Sequence, residues 1–184
     1  AFSLSSLMVG WFGTESLAAH QVMLTISQLG YMIYYGLAAA VAVRISNFMG
    51  QRDYLAVRRT ATAVIHLVFL LAILTSVPIF ICRHIIGGLF TDNVNVISMV
   101  SMTIIPFMIY QFGDGLQCNY ANAMRGTANV RPLIWIAFVS FFIVSLPLGY
   151  LFGVVMNYQL VGVWFAFPFG LTLSGVLYYI YYQK

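Results

Sequence analysis

Residues 60–82, 133–156 and 161–182 each run for more than twenty positions without one Asp, Glu, Lys or Arg. About 20 apolar residues wound as a helix cross the roughly 30 Å hydrocarbon core of a bilayer. Blocks of this length are too long for the core helices of a small soluble domain and are read as membrane spans. Composition says what surrounds them. Only 7% of the 184 residues are charged and 62% are apolar, against about a quarter charged in a soluble domain. So few charges cannot coat a water-facing surface, and lipid must cover most of it.

The blocks predict an all-α, polytopic transmembrane bundle, a single six-helix lobe over residues 1–184. Spans are expected at 17–43, 60–82, 94–124, 133–156 and 161–182. Residues 1–13 are apolar but reach only about 20 Å as a helix, so they read as the second half of a span. The stretch from Arg44 to Arg59 is expected to be a polar connection. The opening at Ala1 has no basic n-region or cleavage site, so it is not read as a signal peptide.

Arg44, Arg52, Arg58, Arg59, Arg125, Arg131 and Lys184 fall on one side when successive connections alternate across the bilayer, seven of the eight basic residues. Glu15, the Arg83–Asp92 loop and the Asn157–Leu160 turn fall on the other. The excess of Lys and Arg marks the first side, with the C-terminus, as cytoplasmic. The net charge of +4 is thus an orientation signal and not a nucleic-acid patch.

Pro78, Pro106, Pro147 and Pro168 each lie in a different span, where each removes a backbone donor and invites a kink. Gly149 and Gly153 form a small-xxx-small pair suited to internal helix packing. Cys82 and Cys118 have neither metal spacing nor a disulfide framework and read as packing residues. His20, His66 and His84 read as packing or interfacial groups, and Arg44 as a side chain that snorkels to the headgroups. Tyr178, Tyr179, Tyr181 and Tyr182 are expected to form an interfacial belt.

Asp114 is the one acid deep inside a span, roughly 16 Å along the helix from Arg125. An ionised Asp at mid-bilayer costs about 2.5–3.5 kcal/mol on insertion scales, so it must face the protein interior or a wet cavity. There it can hold a proton or act as a sodium ligand, a site where one cation displaces another. Tyr110, Gln111, Gln117 and Cys118 are its neighbours at helical spacing. Gln111, Asp114 and Gln117 form a polar stripe, with Asn122 further round. Gly113 and Gly115 leave the adjacent backbone uncovered for another helix or an ion. On the second block, Gln21, Thr25, Gln28, Tyr31 and Tyr35 recur at three- and four-residue steps as a second polar and aromatic face. Such a face lines a cavity or joins helices. Tyr34, Tyr110 and Trp135 offer further aromatic surface for an organic cation.

The stretches Ala18-Ala-His-Gln-Val, Val43-Arg-Ile-Ser-Asn-Phe-Met-Gly-Gln and Tyr110-Gln-Phe-Gly-Asp-Gly-Leu-Gln occur in that order. Ala123-Met-Arg-Gly-Thr and Leu146-Pro-Leu-Gly-Tyr follow them. Together they resemble the NorM-like branch of the multidrug and toxic compound extrusion family, over essentially the whole chain. The resemblance implies a C-terminal lobe, spans seven to twelve of twelve, whose partner is an N-terminal lobe of the same polypeptide across a central cavity. It implies antiport without a cofactor in a bacterial inner membrane: sodium or protons in, organic cationic drugs out. Asp114 matches the family's tenth-span coupling carboxylate. The family's seventh-span acid would fall just before Ala1, and where the family often has Asn this chain has Thr25.

Two other readings stand beside this one. A flippase or exporter of lipid-linked sugars from the same superfamily would carry more basic residues in its cavity. An intramembrane enzyme would need His-Glu-x-x-His or paired aspartates, which the chain lacks, or a Ser–His pair such as Ser6 with His20.

Overall fold

The computed structural model describes residues 2–128 and 130–183. The Ala1 end of the first apolar block and Lys184 of the basic cluster lie outside the described residues. Among those residues every element is helical: α1 (Phe2–Gly10), α2 (Thr14–Gly50), α3 (Tyr54–Ile81), α4 (Arg83–Ile86, running into a 3-10 turn), α5 (Val94–Gly126), α6 (Arg131–Phe138), α7 (Leu146–Tyr150) and α8 (Gln159–Gln183). Two π-helical segments, Val139–Ser145 and Leu151–Val155, join α6 and α7 into one path. Five paths are long and apolar enough to cross a membrane: α2, α3, α5, Arg131–Val155 and α8. Helices are the economical answer in lipid because each satisfies its own backbone.

The Arg44–Arg59 stretch is not a loop, contrary to the sequence expectation. α2 continues to Gly50 and α3 begins at Tyr54. Arg52 adopts φ 59°, and Asp53 N–H donates to Phe48 O at 3.0 Å, which closes α2 in a left-handed cap. Asp53 then caps α3 by accepting from Ala56 N–H at 3.0 Å. Arginines tell where the hydrocarbon ends, but a helix can continue into water beyond that depth. Arg44 is exposed, as expected of a snorkelling side chain, and lies over the Phe48 ring at 5.6 Å.

α5 is the hub, packing on α2, α3 and α8. One core cluster gathers Met23, Val100, Phe107 and Trp164; another, towards the opposite end, gathers Ile45, Val57, Met124 and Tyr178. Hydrogen bonds tie matching helix ends. Asn93 and Asn95 donate to Glu15 Oε1 at 3.0 and 3.1 Å, joining the starts of α2 and α5. Tyr182 donates to Val57 O and Arg58 to Gln183 O, both at 2.7 Å, joining the start of α3 to the end of α8. The physical ends therefore agree with the alternation inferred from charge.

Of the four membrane prolines, only Pro147 sits among widened turns; α3, α5 and α8 run on through Pro78, Pro106 and Pro168. Proline removes the donor that the carbonyl four residues earlier would use, and π turns re-register the ladder around that loss. At the end of the path Met156 N–H donates to Leu151 O, five residues back, at 2.8 Å.

Gly149 and Gly153 face α8, so this pair packs internally: a Cβ on Gly153 would lie 2.8 Å from Val163 Cγ2. α8 answers with small residues at four-residue steps, Gly162, Ala166, Gly170 and Ser174. A Cβ on Gly162 would stand 2.5 Å from Phe152 O, and one on Gly170 2.8 Å from Ser140 O.

The tyrosine belt is only half present. Tyr179 and Tyr181 are exposed, while Tyr178 is buried with its hydroxyl on Leu133 O at 3.1 Å. Positions 178, 179, 181 and 182 run through more than a full helical turn and cannot all face out, and the inner face takes Tyr178. Cys118 is buried, whereas Cys82 is exposed at the end of α3 and does not pack as expected.

Candidate cation and substrate site

α5 carries Asp114 midway along its length, between Tyr110 in one core cluster and Tyr120 in the other. Asp114 as a residue is 5% exposed. Its Oδ2 has no hydrogen-bond partner, and no ion pair holds it among the described residues. It opens on a cavity of about 410 Å³ lined by Leu24, Ser27, Gln28, Tyr31, Tyr110, Asp114, Gln117, Phe141 and Leu171. Leu24, Ser27, Gln28 and Tyr31 are one helical face of α2 at steps of three, one and three. Phe141 comes from the first π segment and Leu171 from α8. No basic residue lines the cavity.

Five of the residues singled out in the sequence meet at this cavity: Asp114, Gln28, Tyr31, Tyr110 and Gln117. Gln21, Thr25 and Tyr35 do not line it. They are exposed on the neighbouring arc of α2, where Thr25 donates to Gln21 O at 2.9 Å and Tyr35 stacks on Tyr31 at 5.5 Å. Gln111 is turned away from the cavity altogether. Its Oε1 meets the hydroxyls of Tyr34, Thr75 and Ser76 at 3.1, 3.2 and 2.6 Å, which pins α5 to α2 and α3. Tyr34 is consequently buried and presents no ring to a ligand, and Trp135 is 71% exposed on the outside of the bundle. Asn122 is occupied by Cys118 O at 2.9 Å and by Arg125 at 3.1 Å.

The two glycines beside the carboxylate admit helices. A Cβ on Gly113 would lie 3.1 Å from Leu171 Cβ of α8, and one on Gly115 2.5 Å from Val68 Cγ1 of α3. They let α5 sit deep between its neighbours, so Asp114 meets the cavity from inside the packing. Leu24, Phe141 and Leu171, which also line the cavity, had no signal as site residues. Ser27 alone had a readable clue, since it lies one helical turn before Tyr31.

Ser6 and His20 do come together, with Ser6 Oγ 3.1 Å from His20 Nε2. Trp164 Nε1–H, which can only donate, points at His20 Nδ1 at 3.1 Å. The proton of this imidazole therefore resides on Nε2 and is given to Ser6. A general base for a serine needs the opposite tautomer, with its lone pair on the hydroxyl. The pair is a clamp between α1, α2 and α8, built on a fully buried His20, not a nucleophile.

A bundle of apolar helices closed around a lone, unpaired mid-span carboxyl is the build of a polytopic membrane protein. The MatE family model matches residues 1–151. The chain is 34% identical over 176 residues to "Probable multidrug resistance protein NorM" of Xylella fastidiosa (strain 9a5c), covering 96% of this chain and 38% of that protein. It is 32% identical to "Multidrug resistance protein NorM" of Aliivibrio fischeri, covering 96% of this chain and 39% of the relative. The crystal structure of the eukaryotic MATE transporter AtDTX14 superposes with a TM-score of 0.91 at 18% identity, covering 98% of this chain and 41% of that one. The chain belongs to the MatE family, whose members are transporters and not enzymes. It spans about two fifths of the length of these relatives.

Proposed function

We propose that this chain is the C-terminal six-helix lobe of a secondary multidrug exporter that exchanges sodium or protons for organic cations. Its setting is a bacterial inner membrane, with the Arg44, Arg125 and Arg131 ends and the C-terminus cytoplasmic. The observation that carries the reading is Asp114: a buried carboxyl with an unpartnered oxygen, on a residue that lines a cavity holding no basic residue. A carboxylate so placed is stabilised by one cation at a time, so inward ions and outward drug compete for it. Gln28, Gln117 and the Tyr110 hydroxyl supply neutral oxygens near the charge, and Tyr31 a ring for an organic cation. Gln21, Thr25 and Tyr35 would face the passage between this lobe and an N-terminal partner lobe that rocks against it. The names of the NorM relatives support drug efflux as the activity. An exporter of lipid-linked sugars needs cations for a pyrophosphate, which this cavity lacks.

Replacing Asp114 by Asn in the full-length protein is expected to abolish efflux of a fluorescent cationic dye while protein level in the membrane is unchanged. Proteoliposomes given a sodium gradient or a proton gradient separately then show which ion drives the wild type. Undiminished efflux by D114N takes Asp114 out of the mechanism.

A further inference from the structure

A second concavity lies between α2 and α3, away from Asp114. Leu37 and Val41 of α2 and Ala63 and Leu67 of α3 wall a groove of about 400 Å³, and Arg44 and Arg59 stand at its mouth. From Leu67 to Arg59 the groove runs about 12 Å along α3. A smaller hollow of about 250 Å³ shares Arg44, Arg59 and Thr60 and extends towards the α2–α3 turn. Asp53 borders that hollow, but its Oδ1 is taken by the Ala56 N–H it caps, at 3.0 Å. Neither arginine forms an ion pair among the described residues.

The direction of the groove says what it meets. At about 100° per residue, Leu37, Val41 and Arg44 fall on the side of α2 opposite Gln21, Gln28 and Tyr35. The polar arc is the one a water-filled passage or a second lobe would take, so the groove faces lipid. Its walls suit an acyl chain. Its mouth places two guanidiniums at headgroup depth, where the phosphate of any phospholipid can accept from their donor forks, but only an anionic lipid brings that negative charge without an ammonium of its own to offset it. We infer that this groove is a binding site for an anionic phospholipid, with the phosphate between Arg44 and Arg59 and one acyl chain lying along Leu37, Val41, Ala63 and Leu67. Basic pockets between transmembrane helices on the cytoplasmic side favour such lipids on electrostatic grounds. The assignment does not depend on the antiport reading.

Native mass spectrometry of the full-length protein, titrated with dioleoyl-phosphatidylglycerol or dioleoyl-phosphatidylcholine, tests it. The anionic lipid is expected to bind roughly 30-fold tighter, from about one arginine's worth of attraction each for Arg44 and Arg59. Arg44→Gln with Arg59→Gln should erase the preference. Ala63→Phe keeps both arginines, fills the chain slot and should weaken binding of both lipids there; it supplies the same test should the double substitution impair folding. A preference that survives the arginine substitutions, or lipid binding undiminished by Ala63→Phe, overturns the proposal. So does full competition by inorganic phosphate, which would make the arginines an anion site with no lipid specificity.

Discussion

Asp114 and His20 are both buried polar side chains, and they differ in what their surroundings complete. His20 has a partner on each ring nitrogen, Ser6 and Trp164, whereas Asp114 keeps an oxygen unpartnered. A completed group holds helices together; an incomplete carboxyl on a residue that lines a cavity is open to a cation. His20→Ala in the full-length protein should therefore cost about 1–3 kcal/mol, since the buried Trp164 N–H loses its acceptor. Combined with Trp164→Phe, the coupling energy should be about 0.6–1.7 kcal/mol, the range of interhelical hydrogen bonds in membranes. Thermal unfolding in detergent measures both, and additive effects would mean the clamp holds nothing. At this scale the sequence revealed Asp114 by its isolation in an apolar helix. It misplaced Gln111, because residues three apart on a helix differ by about 60°. Gln111 and Gln117 flank Asp114 on opposite sides, and at a junction of several helices that arc spans two different gaps.

At the scale of helices, the Arg131–Val155 path and α8 fit because small residues meet backbone. Gly162→Val and Gly170→Val would each drive a branched side chain into a carbonyl, Phe152 O or Ser140 O. Each should destabilise the full-length protein by about 1–3 kcal/mol as overpacking does. At Gly36 a Cβ would meet nothing within 4 Å, so Gly36→Ala should be neutral or stabilise by up to about 1 kcal/mol. Comparable losses at all three positions would show that helix flexibility, not close approach, is what these glycines provide. Hydropathy placed all five long helices, since an apolar block of that length with at most one charge has few other fates. It missed the helical extension through Arg44–Gly50 because hydropathy reports depth in lipid and not where backbone bonding stops. It missed the π segments because a missing proline donor, as at Pro147, fixes no particular way of re-registering the ladder, and Pro78, Pro106 and Pro168 lack one too without widened turns.

For the molecule as a whole, the exposed surface is of two kinds, and the difference bears on how the lobe is used. Leu70 and Leu74 of α3 stand out at 61% and 65% exposure on a stretch, residues 67–74, that is apolar all round, which suits lipid. Gln21 and Gln28 of α2 are equally uncovered yet polar, and next to them the cavity leads in to Asp114. Polar side chains left facing hydrocarbon would be costly, so this arc of α2 should border water in the full-length protein. With Cys82→Ser and Cys118→Ala as background, Gln21→Cys and Gln28→Cys should react with a membrane-impermeant thiol reagent, and Leu70→Cys and Leu74→Cys should not. A cationic drug should slow the reaction at Gln28→Cys, which lines the cavity, more than at Gln21→Cys, which does not. Silence at both glutamine positions, or equal reaction at all four, would mean that α2 offers no aqueous route, and Asp114 would then have no path by which to exchange one cation for another.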